Sequence, residues 1–181
     1  ESVRVVIEQR LLRLTAVTQE VLQEASVLGQ VFVFDDLLRM SHRQEEVVEI
    51  ALEEAHRAGI VRAGKQDEYH FNHALTHDTL YAGLSPRRRR RLHHVAADDI
   101  EQTSEHGRRA VELVHHLLAA DEGERALPYA LLAGDQAEAI YAHAEAESHY
   151  RRAIALAQEQ GNHSSETQAL ERLGSVLSLL G

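Results

Sequence analysis

Ile60-Val61-Arg62-Ala63-Gly64-Lys65-Gln66-Asp67-Glu68-Tyr69-His70-Phe71 is the stretch where the chain changes period. Ile60 to Ala63 is a short apolar run. Gly64-Lys65-Gln66-Asp67 has turn composition, and in Glu68 to Phe71 the rings of Tyr69 and Phe71 alternate with His70. Period two on either side of a turn predicts a β-hairpin. Upstream the period is helical. Val3, Val6, Ile7, Leu11 and Leu14 recur at helical spacing, and Thr18 is placed to cap a helix whose face is Val21, Leu22, Ala25 and Leu28, stopped by Gly29. Val31 to Phe34 is short and β-branched or aromatic, and Asp35 opens a brief helix ending near Met40. Arg43 to Ala58 predicts a further helix that buries Val47, Val48, Ala51, Leu52 and Ala55 and ends at Gly59.

Helices followed by a two-stranded ribbon is the order of a winged helix-turn-helix, placed at residues 1–85. Ser85-Pro86 starts a new helix, with proline tolerated in its first turn, and the pattern stays helical to the end. Helices are predicted near 86–103, 107–119, 123–141, 144–160 and 165–180, with breaks at Gly123, Gly161 and Asn162 to Ser165. Gly134, Ala146, Tyr150 and Ala153 fall at the small and aromatic packing positions of a TPR motif, and Leu170, Leu173 and Gly174 begin another. Proline is missing after the second helix, and the two glycines are 40 residues apart where a TPR has about 34. The fold class expected is therefore mainly α: a winged helix-turn-helix with a small β-hairpin, then TPR-like α-hairpin repeats over residues 86–181.

Composition narrows the function. With 181 residues the chain can build one good core or two small ones. A formal net charge of −10 opposes nucleic acid and anionic lipid on average. The absence of cysteine removes thiolate nucleophiles, disulfides and cysteine zinc sites and fits a cytoplasmic location. No apolar run reaches bilayer length, so no membrane partner is expected. The first residue is Glu1 and not Met, which predicts a segment of something longer.

Phe71-Asn72-His73-Ala74-Leu75-Thr76-His77-Asp78-Thr79-Leu80-Tyr81, then Gly83-Leu84-Ser85-Pro86 and the arginine run to Leu92-His93, resembles the signature that follows the ATPase module of STAND-type AAA proteins. These include large LuxR-type transcriptional activators, ATP-binding adenylate or guanylate cyclases, and related bacterial kinases and regulators. Ser2 to Leu14 and Val21 to Phe32 resemble that family's winged-helix entry, as does His115 to Ala120 through Ala126 to Tyr129 further on. The resemblance implies an ATPase module before residue 1, binding ATP or ADP with magnesium, with the winged helix packed on it as a nucleotide-dependent latch. It also implies repeats that take a protein, peptide or small effector. This chain itself carries no Gly-rich phosphate loop and no acid pair for magnesium, so no cofactor of its own is expected.

His73 is the candidate nucleotide-sensing residue. It stands where strand gives way to helix, with Asn72 able to cap, so its imidazole lies by exposed amides at the positive helix end, a place suited to anions. In the eukaryotic NLR and apoptosome ATPases a winged-helix histidine contacts the β-phosphate of ADP. His73-Ala74-Leu75 resembles that motif, with Ala74 where it has aspartate. The alternative is a histidine merely packed at the junction.

His73 and His77 share a helical face, yet no glutamate follows His73 and no third ligand is spaced for a site, so no metal is assigned. The pairs His93-His94 and His115-His116 point about 100° apart on a helix and read as packing or surface residues. Arg87, Arg88, Arg89, Arg90 and Arg91 form the basic cluster. It reads as a solvated face, as phosphate contacts, or as a docking surface for an acidic part of the ATPase module or another subunit. The helix that would enter a DNA groove carries Glu45, Glu46, Glu49, Glu53 and Glu54, which disfavours direct DNA binding. No catalytic residue is assigned; a DNA-binding factor and a metal-dependent enzyme are the rival readings. Val176-Leu177-Ser178-Leu179-Leu180 reads as an uncapped apolar end, open to further repeats or self-association.

Overall fold

The structure, a computed structural model, describes residues 3–180, the side chains of Val3, Arg4, Leu179 and Leu180 excepted. Its described residues form ten helices and one three-stranded antiparallel sheet, and the chain divides into two compact units, Glu1–Asp99 and Ile100–Gly181. Among the described residues no helix is long and apolar enough to cross a membrane.

The first unit runs α1 (Val3–Leu11), α2 (Ala16–Leu28), β1 (Val31–Val33), α3 (Phe34–Ser41), α4 (Glu45–Arg57), β2 (Val61–Ala63), β3 (Glu68–Phe71), α5 (Ala74–Ala82) and most of α6 (Pro86–Glu101). Thr15, not Thr18, caps α2: its hydroxyl accepts the Thr18 amide at 3.3 Å. Glu54 of α4 completes the cap. Its carboxylate accepts from the Thr15 amide at 3.0 Å, from the Thr15 hydroxyl at 2.7 Å and from the buried Thr18 hydroxyl. At the other end Gly29, with φ of 122°, turns the chain into β1 in a conformation that a Cβ would strain.

The ribbon has a third strand that the two-strand expectation lacked. β3 lies between β1 and β2, with Phe32 opposite Tyr69 and Val61 opposite Phe71. Phe32 stacks on Tyr69 at 5.9 Å and tilts on Phe71 at 5.5 Å, so three rings anchor the sheet to the core. At the hairpin tip the left-handed residues are Gln66 and Asp67. Gly64 serves a different purpose, since a Cβ there would lie 2.7 Å from His70 Nε2.

Behind the sheet Leu22, Leu37, Val48, Leu52 and Ile60 are almost wholly excluded from water. Each such side chain contributes about 1.5–3 kcal/mol of burial. The first unit extends past the boundary expected at residue 85 because Ala96 of α6 joins this core while Leu92 packs with Val27, Leu84 and Tyr81.

The second unit holds α7 (Ala110–Ala119), α8 (Gly123–Ala139), α9 (His143–Glu159) and α10 (His163–Leu180). One device repeats at each connection. Asp121, Tyr141 and Gly161 are left-handed, with φ of 70°, 61° and 64°. The amide that follows each returns to a carbonyl five residues back: Glu122 to Leu117, Ala142 to Ala137 and Asn162 to Ala157, at 2.8 to 2.9 Å. This is the Schellman termination, and it folds each helix back along its predecessor. The 17-residue helices α8 and α9, each followed by such a short turn, set the forty-residue spacing of Gly134 and Gly174.

Between α8 and α9 the contact is close. Tyr150 is fully buried with its ring against Gly134, and Ala146 and Ala153 flank it without exposure. Gly174, by contrast, faces open space.

Candidate functional site

Two residues, Asn72 and His73, carry the chain from β3 into α5. Phe71 is held in the core, which fixes where the strand ends. Asn72 does not cap the helix: its side-chain amide donates to the Gly59 carbonyl at 2.8 Å and its backbone amide to Ile60 at 3.0 Å. The N-cap is His73 itself, extended at φ −139°, with its carbonyl accepting from Thr76 at 2.9 Å. No side chain caps α5, and the His73 imidazole is exposed. The positive end of α5 is therefore left to solvent or to a ligand, beside an exposed histidine.

His77, one turn on, is tied down. Its Nε2 donates to the Ser26 carbonyl at 2.9 Å, and Nδ1 lies 2.9 Å from Asp78 Oδ1. With both ring nitrogens engaged it is not placed to share an ion with His73.

A ladder of rings that the sequence did not disclose starts at His77. Phe71 meets it edge-on at 5.7 Å, and it stacks on Tyr81 at 6.1 Å. The Tyr81 hydroxyl lies 2.9 Å from Nε2 of the buried His93. Over the Tyr81 ring, 4.3 Å from its centroid, sits the Arg89 guanidinium, which also donates to the Tyr81 carbonyl at 3.1 Å. The strand–helix junction is thus coupled to α6 through side chains. The i to i+4 spacing of His77 and Tyr81 was a visible signal; the Tyr81–His93 bond was not.

The arginine run does not act as one patch. Arg89 is absorbed by Tyr81, whereas Arg87 and Arg91 are exposed, and with Ser85 and Arg88 they line a recess of about 480 Å³. Arg88 lies 4.0 Å from Glu24, a buried carboxylate that also bonds Arg43. Burial pushes the Glu24 carboxyl above its ordinary range, and Arg43 and then Arg88 oppose that rise.

On α4, Glu45, Glu46, Glu49 and Glu53 face water as expected, while Glu54 is engaged in the α2 cap. In the second unit, Val111, Ala133, Gln136, Ala137, Ile140, Ala142, with Glu145 and His149, border an apolar groove of about 410 Å³. Ile140, which lines it, is 75% exposed, and its chain neighbour Tyr141 is 82% exposed, unusually bare for large apolar groups. Burial and then Arg152 hold the His149 imidazole below its usual range. Toward the C-terminus Val176 is buried whereas Leu170 and Leu177 are exposed; Leu179 and Leu180 of the expected apolar end lie outside the described side chains.

Scans against family models, curated proteins and solved structures each return no match to this chain.

Proposed function

We propose that this chain is a regulatory and interaction segment of a larger bacterial STAND-type, ATP-dependent signalling or transcriptional regulator, without an active site of its own. The first unit is a winged-helix-like module that latches an upstream ATPase according to its nucleotide state. The second is a TPR-like hairpin array that binds a protein, peptide or small effector.

The observation that carries the reading is the repeated helix-turn device at Asp121, Tyr141 and Gly161, with Ile140 bare in an apolar groove and Tyr141 exposed beside it in the chain. Repeat arrays of this kind offer extended surfaces to partners. Tyrosine in a left-handed backbone is costly, and such cost is concentrated where a side chain must be displayed. For the latch, the support is the uncapped positive end of α5 beside the exposed His73. The exposed carboxylates of α4 weigh against a DNA groove as its target.

The test is to add this chain to the separated upstream ATPase module loaded with ADP and follow nucleotide release. Slower release, with no nucleotide turnover by the chain alone, is the expected result. Turnover by the chain alone, or release that it leaves unchanged, contradicts the reading.

A further inference from the structure

Arg87 and Arg91 stand at i and i+4 on one face of α6, and with Arg88 and Ser85 they line the recess at its start. Neither Arg87 nor Arg91 has an acidic partner among the described residues, and both are exposed. Arg88 reaches only a distant share of Glu24, which Arg43 already holds, and its Nε is buried with no hydrogen-bond partner. The Ser85 hydroxyl oxygen accepts the Arg88 amide at 3.3 Å, which leaves its own O–H to donate into the recess. The first-turn amides of the 16-residue α6 add positive potential on the same side.

A second arginine recess provides the contrast. Arg10, Arg13 and Arg57 line it with Ala58 and Gly59, at the C-terminal ends of α1 and α4. There the helix dipoles are negative and oppose an anion. Charge alone would treat the two recesses alike; helix direction separates them.

We propose that the α6 recess binds the phosphate group of a small soluble phosphorylated compound. A carboxylate fills one guanidinium fork, whereas a phosphate dianion can accept from several at once. Glu24 borders Arg88, an arrangement that suits a compact phosphate better than an extended duplex. The site uses neither His73 nor any residue of the second unit, and it stands whether or not the regulatory reading holds.

Titration calorimetry of the 181-residue chain with inorganic pyrophosphate, at near-physiological ionic strength, tests it. Saturable one-to-one binding is expected, weakened about tenfold for each guanidinium removed in R87A and R91A. The R10A/R57A double variant keeps full affinity. Both α6 positions are exposed, so R87A/R91A should melt with the native midpoint and its loss of binding cannot be laid to unfolding. No saturable heat at millimolar pyrophosphate overturns the proposal, as does binding that survives R87A/R91A or falls equally in R10A/R57A. Citrate binding as tightly as pyrophosphate reassigns the recess to carboxylates. Duplex DNA binding through these arginines, without pyrophosphate binding, reassigns it to nucleic acid.

Discussion

The ring of Tyr150 lies so close to Gly134 that a Cβ on that glycine would come within 2.6 Å of Tyr150 Cδ1. α8 and α9 approach as they do because one residue has no side chain and the other fills the space. Helix propensity favours Gly134→Ala by about 1 kcal/mol, but overpacking a core costs about 1–3 kcal/mol. The clash should win, because Tyr150 is also held by hydrogen bonds to Asp135 and Glu138 at 2.8 and 2.9 Å. Chemical denaturation of Gly134→Ala should therefore show a net loss; a gain would mean that the ring can move aside.

Tyr141 sits in a left-handed backbone that its neighbours in the repeat assign to Asp121 and Gly161. Tyr141→Gly relieves that strain at a position 82% exposed, where little packing is forfeited. A stabilisation of about 1 kcal/mol is expected in thermal melts. If Tyr141 is displayed for binding, the same variant should lose affinity for whatever partner the groove takes.

The α2 cap makes stability depend on pH through a carboxylate of α4. Hydrogen bonds from Thr18 and then Thr15 hold the Glu54 carboxyl below its ordinary range. A lowered carboxyl contributes stability that is present above its unfolded value and is lost as pH falls through the folded one. Glu54→Gln should thus lie below the parent at pH 7, the gap closing on acidification. Thr15→Ala should cost about 1 kcal/mol through the lost cap. A gap that stays constant with pH would show that the carboxylate charge is irrelevant.

Glu24 has the opposite sign. Burial raises its carboxyl, with Arg43 and Arg88 opposing and Glu20 adding to the rise. Relative to the unfolded chain the fold disfavours its ionisation, so that contribution is present below the ordinary carboxylate range and fades as pH rises through the elevated value. Glu24→Gln should remove this fading and leave the fold within about 1 kcal/mol of the parent at pH 7, since Arg43 keeps Glu20 at 2.9 Å. Parallel pH profiles for the two proteins would contradict this.

What the sequence disclosed, and what it hid, follows from range. The helical faces, the Gly29 and Gly59 stops, the hairpin and the packing positions at Gly134 and Tyr150 all rest on local period or on spacing within one repeat, whereas the contact of that ring with Gly134 does not. β1 escaped because three residues carry no alternation and its pairing joins Val31 to His70 across the unit. Glu54 read as one more surface glutamate among five on α4, and only folding brings it to Thr15 and Thr18. Asn72 looked like a cap by composition, but the Gly59 carbonyl claims its amide. The break after α8 was read between residues 141 and 144, but nothing in Ile140-Tyr141-Ala142 has turn composition, so the left-handed Tyr141 was legible only from the backbone. At the candidate site, His73 was legible from its place between strand and helix. The arginine run was legible as charge, but the division between Arg89 on Tyr81 and the recess-facing Arg87, Arg88 and Arg91 was not.

ADP release from the proposed ATPase-bearing regulator, compared between the native sequence and His73→Ala, tests the central claim most directly. His73 is exposed and makes no side-chain cap, so the substitution should leave the fold intact. A latch that senses nucleotide through this imidazole predicts faster ADP release in the variant. Release at the native rate would contradict it.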